Sequence, residues 1–154
     1  MNTVEDIRAF VAQKTLAIVG MSRAPRSFSA SAARELRSKG YRLYVVNPKA
    51  TEIEGETCYP ALASLPEKVG GALFLTPPSA TGQAVRDAVA AGVRCLWIQQ
   101  GAESEEALTY CRANTLTVVS GQCILMFAEP VVSFHRAHRF LRRIFGRLPG
   151  RRIG

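Results

Sequence analysis

The stretch that decides the fold is Thr15–Ser31, TLAIVGMSRAPRSFSAS. Leu16, Ala17, Ile18 and Val19 form a short apolar run that closes on Gly20, the pattern of a buried strand. A polar loop with Arg23, Pro25 and Arg26 follows, and from Ala30 a helical pattern runs to Lys39, ended by Gly40. Open α/β sheets hold phosphate groups at such a strand–loop–helix turn, because the unpaired amides and the dipole of the first helical turn favour an anion. The turn is therefore read as the anion-binding core of a nucleotide-type site.

The same alternation extends outward in both directions. Val4, Ile7, Phe10 and Val11 are spaced by three and four, which predicts an amphipathic helix over Val4–Gln13 with Asn2 or Thr3 as N-cap. Downstream, RLYVVN at residues 42–47 is a second strand stopped by Pro48. Lys49–Lys68 lacks sustained periodicity and holds Gly55, Pro60 and Pro66; it is read as a surface excursion with a short extended piece near Tyr59. Ala72–Leu75 is the third strand, Ser79–Ala91 a helix ended by Gly92, Arg94–Ile98 the fourth strand, Glu103–Asn114 a helix and Thr117–Val119 the fifth strand. Strands alternating with helices predict βαβ units, a parallel sheet and right-handed crossovers.

A chain of 154 residues, 47% hydrophobic and 21% charged, is one domain able to bury a core. No apolar run approaches the ~20 residues of a membrane span, and MNTVEDIRAF lacks the layout of a signal peptide, so a cytoplasmic location is expected. The four cysteines, Cys58, Cys95, Cys111 and Cys123, form no C-x-x-C, which argues against a zinc site and a disulfide framework. Cys95, inside an apolar strand, is read as a core residue.

The net charge of +8 is a property of the tail. All 12 acidic residues lie at or before Glu129, and seven arginines follow it, leaving 13 basic side chains against 12 acidic ones in the rest. Val131–Leu148 places Phe134, Ala137, Leu141, Ile144, Phe145 and Leu148 on one helical face with arginines on much of the remainder. The expected organisation is a domain over residues 1–129 and a basic amphipathic helix and tail over 130–154. That helix is expected to pack on the domain or on a partner subunit, in a homo-oligomer for instance. A membrane surface and nucleic acid are the alternatives, and no nucleic-acid fold is recognised. His135 and His138 are read as exposed residues of the same helix.

In an open α/β sheet the ligand lies outside the carboxyl ends of the strands. Those ends read Gly20-Met21-Ser22-Arg23, Asn47-Pro48-Lys49, Thr76-Pro77-Pro78, Gln99-Gln100-Gly101 and Ser120-Gly121-Gln122-Cys123. None of these segments holds a carboxylate or a histidine, the groups a hydrolase or hydride-transfer enzyme would aim at its substrate. They point to binding. The NAD fingerprint G-x-G-x-x-G is absent, with Ser22 and Pro25 where its later glycines belong. The acid that grips a ribose 2′-hydroxyl is replaced by Asn47, with Lys49 two residues on. A cation there suits a ligand with an extra phosphate on the adenosine ribose, NADP or coenzyme A.

Taken in order, AIVGMSRAPRSFS, VVNP, Tyr59-Pro60, TPP, WIQQG and GQCILMFAEP resemble the CoA-binding domain family. The resemblance covers roughly residues 10–128, and it is to the small stand-alone branch related to the N-terminal domain of the succinyl-CoA synthetase α subunit. It implies a Rossmann-like three-layer α/β fold, a five-stranded parallel sheet of order 3-2-1-4-5, and a CoA site along the strand tips. Carried over by position, Gly20, Ser22 and Arg23, with Arg26 and Ser27 nearby, match the loop that wraps the phosphates. Pro48 and Lys49 match the segment beside the adenosine and its 3′-phosphate, and Thr76, Pro77 and Pro78 the apolar wall beside the nucleotide. Gln99, Gln100 and Gly101 match a Thr-Glu-Gly segment beside the pantetheine, with glutamine in place of the acid. Gly121-Gln122-Cys123 resembles the synthetase's Gly-Pro-Asn-Cys with one residue fewer.

The synthetase's phosphohistidine domain has no counterpart in these residues. The expected function is binding of CoA or a short acyl-CoA by a non-catalytic or regulatory module. An NAD(P)-binding Rossmann protein or oxidoreductase, an interaction module that has lost its ligand, and mixed-disulfide chemistry at Cys123 are the alternatives.

Overall fold

A computed structural model describes residues 1–128. In chain order the elements are α1 (Val4–Val11), β1 (Thr15–Val19), α2 (Phe28–Ser38), β2 (Arg42–Val46), β3 (Glu52–Ile53), β4 (Glu56–Tyr59), β5 (Gly71–Phe74), α3 (Pro78–Ala90), β6 (Cys95–Gln99), α4 (Glu105–Ala113) and β7 (Thr117–Gln122). Single 3-10 turns occupy Leu62–Ser64 and Ile124–Met126. The expected basic helix over Val131–Leu148 lies outside the described residues.

The sheet has seven strands in the order β3-β4-β2-β1-β5-β6-β7. All neighbouring pairs are parallel except β3 with β4. This corrects the five-stranded order 3-2-1-4-5. Ala72–Leu75, read as the third strand, pairs through Ala72–Phe74 with β1 on the side away from β2. The place beyond β2 belongs to Glu56–Tyr59, whose Cys58 and Tyr59 register with Val45 and Val46. That extended piece was read as part of a loop because it is short and largely polar. Glu54 and Gly55 turn β3 into β4 with φ of 51° and 78°, the left-handed pair that a two-residue hairpin turn requires. Ion pairs Arg34–Glu54 (2.7 Å) and Arg37–Glu56 tie the hairpin to α2.

Successive residues of a strand face opposite sides of the sheet, and here both sides are covered. Leu16 and Ile18 pack with Ile7 and Phe10 of α1 and with Ala33 and Leu36 of α2. Ala17 and Val19 face the other way, toward Val85 and Ala88 of α3 and Ala107 and Cys111 of α4. The result is a three-layer α/β sandwich. Trp97, fully buried on β6, sits between the rings of Phe10 (5.3 Å) and Phe127 (5.6 Å). Cys95, at the start of β6, is half-buried and packs against the same cluster.

The helix termini follow their local chemistry. Thr3 caps α1 through a reciprocal box with Asp6, and α1 ends at Val11. Asn2 instead joins the edge of β7, donating its amide to Val118 O (3.0 Å) and accepting the Ser120 amide at Oδ1 (2.7 Å). The side chain of Ser27 accepts the Ala30 amide, so α2 starts at Phe28, two residues before the apolar periodicity becomes visible. No helix among the described residues is long and apolar enough to cross a membrane.

Candidate functional site

The carboxyl ends of the parallel strands open onto a cleft of about 670 Å³, bounded by the tips of β1, β2 and β5, the Pro60–Ala63 segment after β4, and one face of α3. Of the residues expected at the site, it gathers Gly20, Asn47, Pro48, Lys49, Thr76 and Pro77. A second cleft of about 510 Å³ adjoins it below the β3–β4 hairpin, lined by Arg23 together with Pro48, Lys49 and Pro60. Lys49 is thus common to both.

Gly20 has a structural reason to be glycine. Its φ is +88°, and a Cβ there would lie 2.7 Å from Thr76 Cγ2 and 2.9 Å from the Thr76 backbone. Only hydrogen allows the tips of β1 and β5 to meet this closely. Asn47 locks the neighbouring tip: its Nδ2 donates to Met21 O (3.3 Å), its Oδ1 accepts the Lys49 amide (2.8 Å), and its own amide donates to Tyr59 O (2.9 Å). The side chain that stands where a ribose-binding acid was sought therefore holds β1, β2 and β4 in register. Lys49 is left projecting from a fixed backbone.

Thr76 is nearly buried, and its Oγ1 lies 2.6 Å from Thr81 Oγ1. Thr81 has one hydroxyl proton, aimed at the carbonyls of Ala102 (2.7 Å) and Pro77 (3.1 Å), so the proton in the Thr76–Thr81 bond comes from Thr76. Thr76 then remains an acceptor on the cleft wall, and the bond chain fixes β5, α3 and the turn after β6 together.

The first loop runs on to α2 outside both clefts at Ser22, Arg26 and Ser27. The Ser22 amide donates to Ser29 Oγ (2.9 Å), and Ser22 Oγ accepts the Ala24 amide (3.1 Å). Ser27 caps α2 and exchanges a hydrogen bond with Ser29 (3.0 Å). Among the described residues the amides of Phe28 and Ser29 meet no acceptor, so the first turn of α2 keeps two open donors. Arg23 and Arg26 are exposed.

At the β6 tip several polar groups bond within the protein. Gln99 is buried and its Oε1 accepts the Ile124 amide (3.1 Å), while Gln100 donates its amide to Gln122 O (3.2 Å). Gly101, at φ +91°, donates its amide to Glu103 Oε2 (2.6 Å). A carboxylate is therefore present at the strand ends after all, two residues beyond the segment that was read, where it closes a turn. Gln99, Gln100, Gly101 and Pro78 line neither cleft.

The face of α3 was missing from the sequence-based site. Ala80, Gln83, Ala84, Asp87 and Ala91 line the larger cleft at intervals of three and four. This stripe of small and polar residues was legible as a helix face, but nothing in it marked a ligand. Pro60–Ala63 lines the opposite wall and was signalled only by the Tyr59-Pro60 pair.

The thiols are retracted from chemistry in the core. Burial pushes Cys95 and Cys111 up to about 11, and burial, helped by Glu52 and Glu56, raises Cys58. Cys123 is half-exposed, just after β7.

A parallel α/β sheet with its cleft at the strand tips, a cation at the second strand end and an open helix N-terminus defines a nucleotide-binding domain of Rossmann type. The chain belongs to the CoA binding domain family, which matches residues 14–129. It is similar to a conserved hypothetical protein from Pyrococcus furiosus, 37% identical with a TM-score of 0.68 over 73% of this chain and 97% of that one. A hypothetical protein from Pyrococcus horikoshii is 28% identical with a TM-score of 0.74, covering 94% and 93%. It is also similar to an acetyl-coenzyme A synthetase from Ca. Korarchaeum cryptofilum, at 28% identity and a TM-score of 0.59 over 69% of this chain and 25% of the synthetase. Among curated proteins, an ADP-forming acetate–CoA ligase of Archaeoglobus fulgidus is 26% identical over 106 residues, 68% of this chain. The chain spans 16% of that ligase's length.

Proposed function

We propose that this domain binds coenzyme A or a short acyl-CoA as a non-catalytic module, with the adenosine end in the larger cleft and the phosphates toward Lys49, Arg23 and the N-terminus of α2. The observation that carries the reading is Lys49, fixed by Asn47 at the β2 tip and shared by both clefts. A ligand phosphorylated on its adenosine ribose places an anion at this strand end, where a plain dinucleotide would call for a carboxylate. Gly20, Pro48, Thr76 and Pro77 supply a close-packed wall beside it. Ser22, Arg26 and Ser27 belong to the phosphate loop in this reading, and Gln99, Gln100 and Gly101 to the pantetheine path.

Binding without catalysis is supported by the lining itself. Among the described residues, Lys49 and Asp87 are the titratable side chains of the larger cleft, and they belong to different walls. General acid–base work needs such groups paired on the reacting atoms.

Titration calorimetry with CoA, dephospho-CoA, NAD and NADP tests the proposal. CoA is expected to bind tightest, with dephospho-CoA weaker by about tenfold, the range of a charge-assisted contact to phosphate. NAD or NADP binding as tightly as CoA refutes it.

A further inference from the structure

The larger cleft changes polarity along α3. Gln83 and Asp87 stand one helical turn apart on the face that lines it, and Gln83 Nε2 donates to Asp87 Oδ1 at 2.8 Å. A carboxylate only accepts, so this bond assigns the amide: its nitrogen faces Asp87 and Oε1 is turned away. Thr76, whose hydroxyl donates to Thr81, lies at the mouth of the cleft beside Gly20. Asn47 uses its Oδ1 and its Nδ2 within the protein. The cationic donor, Lys49, lies at the β2 tip. Asp87 lies nine residues into α3 from Pro78, about 14 Å along the helix axis.

The groove is therefore cationic at its mouth and carries acceptors toward its far end, the Asp87 carboxylate and Gln83 Oε1, with apolar walls from Pro60, Leu62, Ala80 and Ala84 between. It fits a flat apolar body carrying an anion at one end and a hydrogen-bond donor at the other. We propose that the Gln83–Asp87 pair reads the exocyclic amine of an adenine base, and that Lys49 meets the phosphate, so the nucleotide lies base-down along α3. This rests on the CoA reading of the same cleft and adds its base selectivity. Nothing in the phosphate loop would supply such selectivity, since phosphate contacts are the same for every base.

The test compares CoA with its purine analogue, in which hydrogen replaces the 6-amino group without adding bulk. Calorimetry on the wild-type chain is expected to show the analogue binding about tenfold more weakly, the loss of one hydrogen bond to a charged acceptor at a partly solvated site. Asp87 is exposed, so Asp87→Ala leaves the core untouched. In that variant CoA falls to within about threefold of the analogue, while the ratio of CoA to dephospho-CoA stays at its wild-type value. Equal binding of CoA and the purine analogue by the wild-type chain overturns the base assignment and leaves the CoA reading standing. Asp87→Ala retaining the tenfold preference, or losing the 3′-phosphate preference as well, also overturns the assignment. If neither ligand binds the wild-type chain, both readings fall.

Discussion

Two glycines with the same backbone angle allow the close approach of β1 and β5 to be measured. Gly20 and Gly92 both have φ of +88°, but a Cβ at Gly92 meets nothing within 4 Å, whereas at Gly20 it lies 2.7–2.9 Å from Thr76. Alanine at either position incurs the left-handed backbone penalty, about 1–2 kcal/mol. At Gly20 it must also displace main-chain atoms of Thr76, which cannot rotate away, and overpacking of that kind costs about 1–3 kcal/mol more. Gly92→Ala should therefore lose about 1–2 kcal/mol and Gly20→Ala about 2–5 kcal/mol, the difference isolating the contact. Urea unfolding followed by the fluorescence of Trp97 suits the measurement, since it is the single tryptophan and fully buried. In thermal melts the gap corresponds to roughly 3–10 °C for a domain of this size. Because Thr76 lines the cleft, Gly20→Ala should also weaken CoA binding, while Gly92→Ala should not. Equal stabilities within about 0.5 kcal/mol would refute the argument, because the strand tips would then part freely.

Other outcomes follow from the same geometry. Lys49→Ala is expected to weaken CoA by about tenfold in calorimetry and to leave dephospho-CoA unchanged; an equal loss for both ligands would remove Lys49 from the 3′-phosphate. Thr81→Val keeps the side-chain shape but strands the Ala102 carbonyl and the Thr76 hydroxyl, so urea unfolding should show a loss of about 2–3 kcal/mol, with Thr81→Ser closer to wild type. For Cys111 the folded pKa is raised to about 11 by burial, above the unfolded thiol value. Its contribution is fully present below the unfolded pKa and is lost as pH rises through the folded one. Stability should therefore fall between about pH 8.5 and 11, by less in Cys111→Ala than in wild type, and identical alkaline slopes would contradict that origin.

Much of the fold was legible because its strands are short, apolar and separated by helices with clear caps. The run Leu16–Val19 and the strands at Leu43, Leu73, Trp97 and Val118 announce themselves by burial on both faces, which excludes polar residues from either side. Glu56–Tyr59 did not, because an outer strand held by two registered residues of β2 needs no long apolar run. The strand order failed for the same reason: with β4 unseen, Ala72–Leu75 was assigned the place that β4 fills.

The site divides along similar lines. Loop residues with special chemistry, Gly20, Asn47, Lys49 and Thr76, stood out in the chain, and the cleft does gather them. Their roles were less visible. Asn47 and Gln99 read as ligand contacts; in the structure the Asn47 amide also bonds to Met21 and Lys49, and Gln99 Oε1 to Ile124. The bonds to Met21 and Ile124 join residues 25 or more apart, which spacing does not reveal.

By itself the sequence determined the class of fold, the order of most of its elements, and a strand–loop–helix turn at Thr15–Ser31 without the glycines of an NAD site. Those are local properties, set by periodicity, capping and the conformational freedom of single residues. Tertiary structure alone decided which strand lies beyond β2, that Gly20 is required by the backbone of Thr76, and that α3 forms a wall of the cleft. Each of these depends on distances between segments that sequence pattern does not encode, and the turn at Gly20 becomes a site only when β2, β4 and β5 are brought against it.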